Sequence, residues 1–279
     1  MHTRIFNKMM AHEIEEYLAR GGSTIYVAVG VTEVHGAMPV DCETIMPEAC
    51  ALEMAEQSDG LALINLPYFF PGGTIISNST VQVSVRDSID YLMMLTRSLV
   101  SQGFDKIIFV SGHGPAALYV DAVCRDFFQE TKIHVCHVNL AAVMQRFGEK
   151  RGSKEHPFWL FDRMIYGSYK KMNQEVYLAV DPNAKPIPVP EKRENPALSN
   201  LGKMLAPLGG RPSIYFESPE QHGGGKPFAS VEERTQACAE GEKLLHEMIA
   251  GLDLEGLKSA LDEYHKYLAG LVEKYPRIK

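Results

Sequence analysis

Four side chains able to bind cations or move protons, Glu33, His35, Asp41 and Glu43, fall within eleven residues of the stretch GVTEVHGAMPVDCETIMPEA (30–49). They follow directly on an apolar run, TIYVAVG (24–30). Carboxylates and an imidazole at the mouth of a buried strand are costly unless something binds them. Residues 33 and 35 have the period-two spacing that turns two side chains to the same side of an extended segment. A further imidazole, His113, stands in SGHG after a second apolar run, DKIIFV. Two carboxylates with two imidazoles suit Zn²⁺, Mn²⁺ or Fe²⁺, and one carboxylate can bridge a pair of ions. A lone E-x-H would more simply be a hydrogen-bonded turn with solvated carboxylates. The second cluster at a second strand end is what favours a metal.

The elements that must position these groups alternate. STIYVAVG (23–30) reads as a buried strand, and TIMPEACALEMAEQ (44–57) has helical spacing. An apolar run (61–70) and a strand-like TVQVS (80–84) follow. Ser84 and Asp87 then resemble a capping box opening a helix over 85–103. DKIIFVSGHG (105–114) predicts a strand, 115–130 a helix with proline in its first turn, and KIHVCHVNL (132–140) another strand. This order calls for an α/β fold, a parallel-centred sheet between helices in three α/β/α layers. In such sheets ligands bind at the carboxyl ends of strands, where both polar clusters lie. Beyond residue 145 the pattern weakens. Residues 146–159 look like loop, 169–180 like a helix, and 181–196 carry five prolines and form no regular element. PSIYFES (212–218) predicts a strand and PEQHGGGKPF (219–228) a flexible loop; helices are expected over 231–251, capped by Ser230 with Glu233, and 253–274. No linker or repeat divides the chain, so residues 1–279 read as a single domain.

Composition bounds the function. The chain is 45% hydrophobic and 23% charged, ordinary for a globular enzyme. A net charge of −7 without a basic stretch argues against nucleic acid or an anionic membrane as partner. Five scattered cysteines without a CxxC spacing predict reduced thiols and a cytoplasmic setting. Charge interrupts the N-terminal apolar runs, as it would not in a signal peptide or anchor.

GVTEVHGAMPVDCETIMPEA resembles the signature of the creatininase (creatinine amidohydrolase) family, G-S-x-E-x-H-G-P-H-L-P-L-x-T-D-T. FVSGHGPAA is similar to its N-G-H-G-G-N signature, and GKPFASVEERTQACAEGEKLL (225–245) to its C-terminal stretch. The resemblance implies a creatininase-like fold and two divalent ions, with Glu33, His35 and His113 as ligands and an acidic residue bridging both. A one-residue gap after Ala37 places Glu43 at the bridge; a rearranged turn would give that role to Asp41. A further ligand, a glutamate in some members, falls on Pro115, which cannot ligate. Other members use an H-A-G-x-x-E-T-S element, matched only by SYKKMNQEVYLAVDP (168–182), which makes Glu175 the candidate ligand or proton donor. The family's usual histidine is replaced there by Ser168. His222, in the Gly-rich loop, is the candidate acid/base in its place.

The implied reaction is metal-dependent hydrolysis of a cyclic or linear amide in a small polar substrate. The lost histidine leaves open C–C hydrolysis in a keto-inositol ring, which the polar segments SNST (77–80) and ESPEQH (217–222) would suit, or a metal-free, non-catalytic relative. The resemblance also implies a homo-oligomer, often a hexamer. The other histidines are expected to be structural, with His156 beside Trp159 kept as a pocket candidate. GHGPAA formally fits a dinucleotide turn, but the next strand ends in Asn139 and Leu140 rather than in an acid. HGGGK lacks both the nucleophile elbow of a lipase and the context of a P-loop.

Overall fold

The computed structural model describes residues 1–279 other than 152–156, 188–194, 211, 276, 278 and 279. His156 and residues 188–194 of the proline-rich stretch therefore lie outside the described residues. In chain order the elements are α1 (Ala11–Ala19), β1 (Thr24–Val29), α2 (Cys42–Gln57), β2 (Leu61–Leu63), α3 (Val85–Ser101), β3 (Lys106–Ser111), α4 (Ala117–Thr131), β4 (Cys136–Asn139), α5 (Leu140–Lys150), α6 (Pro157–Lys171), α7 (Pro196–Leu205), α8 (Val231–Ala250) and α9 (Leu254–Lys274). The four strands form one parallel sheet in the order β2-β1-β3-β4.

Alternation along the strands builds two cores. Ile25, Val27 and Val29 of β1 and Ile107 and Phe109 of β3 face a layer containing Tyr17 of α1, Leu92 and Leu99 of α3, and Tyr119, Val123 and Phe127 of α4. Tyr26, Ala28, Ile108 and Val110 face the other way, onto Met46 and Cys50 of α2, Met164 and Tyr169 of α6 and Leu245 of α8. Both sheet faces are covered, so the strands read as unbroken apolar runs. The result is the three-layer α/β/α arrangement expected from the sequence. The chain leaves β1 toward β2 on one side, while β3 lies on the other. That reversal opens a crevice between the carboxyl ends of β1 and β3. Val29 pairs with Ser111 at the top of this pair, so the 30–41 and 112–116 segments leave the sheet at one level.

Several expectations need correction. Of the stretch 146–159, residues 146–150 and 157–159 are helix rather than loop: α5 runs to Lys150, held by Leu140, Val143, Met144 and Phe147 at helical spacing against the second core, and α6 starts at Pro157. The helix expected over 169–180 lies earlier, as α6, followed only by a single turn at Glu175–Tyr177. Gly167 inside α6 is a contact rather than a break. It meets Gly241 of α8 so closely that a Cβ on either would strike the other helix's backbone. Of the apolar run 61–70 only Leu61–Leu63 is strand. Neither TVQVS nor PSIYFES is a strand; one backbone bond ties each to the fold, from Val81 N–H to Thr32 O (2.9 Å) and from Phe216 N–H to Gly73 O (3.0 Å). The five cysteines are free, with Cys42, Cys50 and Cys238 buried. Among the described residues no helix is long and apolar enough to cross a membrane.

Candidate metal centre

Glu33 and His35 lie on the extended segment after β1, Glu43 in the first turn of α2, and His113 just past β3. A helix N-terminus favours a carboxylate there, and α2 delivers Glu43 into the crevice. Glu33, Glu43 and His113 are 1%, 5% and 4% exposed. Their ligating atoms lie within 4.8 Å of one another, and the same holds for His35, Glu43 and His222. Glu43 is common to both groups. His113 Nε2 is 3.1 Å from Glu33 Oε1 and 4.0 Å from Glu43 Oε2, and His222 Nε2 is 4.0 Å from Glu33 Oε1.

The surrounding groups hold this cluster in place without saturating it. Thr74 Oγ1 donates to Glu33 Oε2 at 2.6 Å, leaving the other carboxylate oxygen turned inward. His222 Nδ1 is 2.6 Å from Val34 O, so Nδ1 carries a proton and donates it, which in the neutral ring leaves Nε2 with the lone pair. Phe161 lies 5.5 Å from the His35 ring and Phe216 lies 5.3 Å from the His222 ring, walling the imidazoles. Glu33 Oε1, Glu43 Oε2, His35 Nδ1 and His113 Nδ1 are buried without a hydrogen-bond partner. So much unpaired buried polarity is rare in a folded protein.

Burial pushes the Glu43 carboxyl well above the usual carboxylate range, and the neighbouring Glu33 pushes it further. Burial also opposes ionisation of Glu33, but the adjoining Glu43 and His113 outweigh it and bring that pKa down to about 2. Burial, then the nearby His222, lowers His35 to about 4, with Glu33 pulling weakly the other way. A neutral imidazole beside a carboxylate is the form that accepts a divalent cation.

The other sequence candidates fall outside both groups. Asp41 accepts a short hydrogen bond from the wholly buried Tyr169. Glu175 pairs with Lys170 at 3.1 Å. Ser168 is buried in α6 and bonds back to Met164 O at 2.7 Å. Pro115 lies in the single turn after His113.

The loop expected to be flexible, 219–228, is seated. Gly36 and Gly223 both have positive φ, +57° and +89°, and their backbones touch, so that a Cβ on Gly223 would come within 2.9 Å of Gly36 N. Ala37 N–H donates to Gly224 O at 3.0 Å. The glycines of HGGGK thus let this loop lie directly on the turn that carries His35. Thr74, Phe161, Tyr169 and Phe216 escaped the sequence reading, because an ordinary polar loop residue and core aromatics carry no local signal of what they face.

Ser111, His137 and Asp121 mimic a serine-hydrolase relay, with Ser111 Oγ 2.8 Å from His137 Nε2 and His137 Nδ1 2.6 Å from Asp121 Oδ1. Ser111 is wholly buried in β3. The three residues tie β3, β4 and α4 together and offer no reachable nucleophile.

The creatininase (creatinine amidohydrolase) family model matches residues 7–162, more than half of the chain and the part that carries Glu33, His35, Glu43 and His113. The chain belongs to the creatininase family. No curated protein matches it. Among solved structures, a putative creatinine amidohydrolase from Bacteroides fragilis shares 18% identity with a TM-score of 0.61, over 95% of this chain and 98% of that one. A structure titled as creatininase with manganese gives 16% identity and a TM-score of 0.57, over 94% and 98%. A Zn-Zn creatininase carrying a glutamate-to-glutamine substitution gives 16% and 0.54, over 89% and 98%. At these identities the likeness establishes the creatininase fold.

Proposed function

We propose that this creatininase-family protein is a metal-dependent hydrolase that opens a C–N amide bond in a small polar substrate. The observation that carries the proposal is the convergence of the unpaired buried oxygens Glu33 Oε1 and Glu43 Oε2 with the His35 and His113 imidazoles on one crevice. Oxygen and nitrogen donors in this mixture fit a zinc, manganese or iron ion, and the related structures titled with manganese and with two zincs support the same choice. Glu33, Glu43 and His113 would hold one ion, and Glu43 would also face a second beside His35. When bound, such ions supply Lewis acidity toward a carbonyl and acidify water toward neutrality.

The protein's own groups do the rest. Thr74 fixes Glu33 so that one oxygen points into the crevice. Glu43, in the first turn of α2, spans the two groups. Phe161 and Phe216 narrow the access of bulk water, which strengthens every charge interaction inside. Asp41 and Glu175 lie outside both groups and are engaged by Tyr169 and Lys170.

Glu33→Gln and His113→Ala test the proposal. Each should lower bound metal and amide hydrolysis at least about 100-fold while far-ultraviolet circular dichroism stays unchanged. Full metal occupancy in both variants would place the centre elsewhere.

A further inference from the structure

We infer that His222 is a metal ligand, completing with His35 and Glu43 a second divalent-cation site whose third donor arrives on the 219–228 loop. The inference rests on the metal-hydrolase reading of the same crevice and assigns His222 a role other than acid/base catalysis.

Three observations converge on it. The ligating atoms of His35, Glu43 and His222 fit within 4.8 Å, the span of one coordination sphere. The imidazoles of His35 and His222 approach edge to face, with centroids 4.8 Å apart. They pack this closely although each offers a ring nitrogen that seeks a cation or a donor. Second, Val34 O fixes the proton of His222 on Nδ1 and aims Nε2 at the crevice. A second hydrogen bond of this kind is how ligating histidines are held. Third, the loop is built to sit where it sits. Gly36 and Gly223 adopt positive φ at their contact, and Ala37 is bonded to Gly224 O. The turn after His113, Gly114–Ala116, offers no side chain able to ligate.

The two sites then differ in chemistry. Glu33, Glu43 and His113 give two carboxylates and one imidazole, which suits a harder ion such as manganese. His35, His222 and Glu43 give two imidazoles and one carboxylate, which suits zinc or iron. A bound ion would fasten the loop in addition to the glycine contacts that seat it.

The test is a count of ions. Apo-protein loaded with zinc and dialysed should hold two ions per chain by plasma mass spectrometry, and His222→Ala should hold one. X-ray absorption at the zinc edge of the wild-type protein loaded with two equivalents should show three imidazoles shared between the two zincs, His113 on one and His35 with His222 on the other, a readout independent of how the variant folds. A variant that keeps two ions but loses turnover would make His222 an acid/base and overturn the inference, while the hydrolase proposal stands. Two imidazoles or fewer shared between the two zincs in the absorption spectrum would overturn it as well. A wild-type protein that binds no metal at all would instead remove the hydrolase proposal beneath it.

Discussion

At the residue scale the account turns on Glu43. Glu33, His35 and His113 were legible in the sequence because their types are unusual at strand ends and their spacing puts them on one side. The choice between Asp41 and Glu43 was not, since it depends on how the 36–41 turn is wound. Gly36 in the left-handed region and a helix that starts at Cys42 send Glu43 into the crevice and Asp41 toward Tyr169. Glu43→Gln should therefore weaken binding of both ions at least about 100-fold, above the roughly 10–100-fold that losing a ligand's outer partner costs. Asp41→Asn should change metal affinity less than about tenfold. Calorimetric zinc titration of the two variants separates them, and the reverse order would assign the bridge to Asp41. His222 reads in the sequence as an acid/base in a Gly-rich loop; its place beside His35 and Val34, which supports the ligand role proposed above, has no sequence signal.

At the element scale, α2 carries Glu43 at one end and an ion-pair anchor at the other. Glu53 is buried and meets Lys171 of α6 at 2.6 Å, His246 of α8 at 2.7 Å and Gln57 at 2.6 Å. Burial opposes ionisation of Glu53, but the Lys171, Gln57 and His246 contacts outweigh it and hold its pKa below the ordinary 4.5. Its stabilising contribution is thus complete above 4.5, the unfolded value, and fades as pH falls through the lowered folded value. Glu53→Ala leaves Lys171 half-buried beside the exposed Glu56 alone, and should cost about 3 kcal/mol at pH 7. Urea unfolding should show that cost shrinking below pH 4.5; a cost independent of pH would mean that packing, and no ionic contact, ties α2 to α6. The helices α5 and α6 were the ones misread. The glycines and charges of 146–159 suggested loop, whereas α5 runs through Gly148, and further on Gly167 lets α6 and α8 cross at backbone contact. Such a helix–helix approach leaves no trace in local periodicity. The strand-like segments 80–84 and 212–218 failed for the converse reason: their β-branched and aromatic residues cover the site edge and find no neighbouring strand.

At the scale of the whole molecule the parallel sheet was legible, because strands buried on both faces must be apolar throughout and each needs a helical crossover. Strand order was not written in any local pattern. The order β2-β1-β3-β4 decides that the loops after β1 and β3 share one crevice, and it thereby joins two motifs some 70 residues apart into one centre. The long C-terminal part, from α6 onward, contributes the second core and the loop bearing His222, so the centre draws on both halves of the chain. The most direct examination of this centre is a crystal of the metal-loaded protein with diffraction recorded on both sides of the zinc edge. Two anomalous peaks should flank the Glu43 carboxylate, one against Glu33 and His113 and the other against His35. An anomalous map empty at Glu43, in crystals grown with excess zinc, would contradict the account.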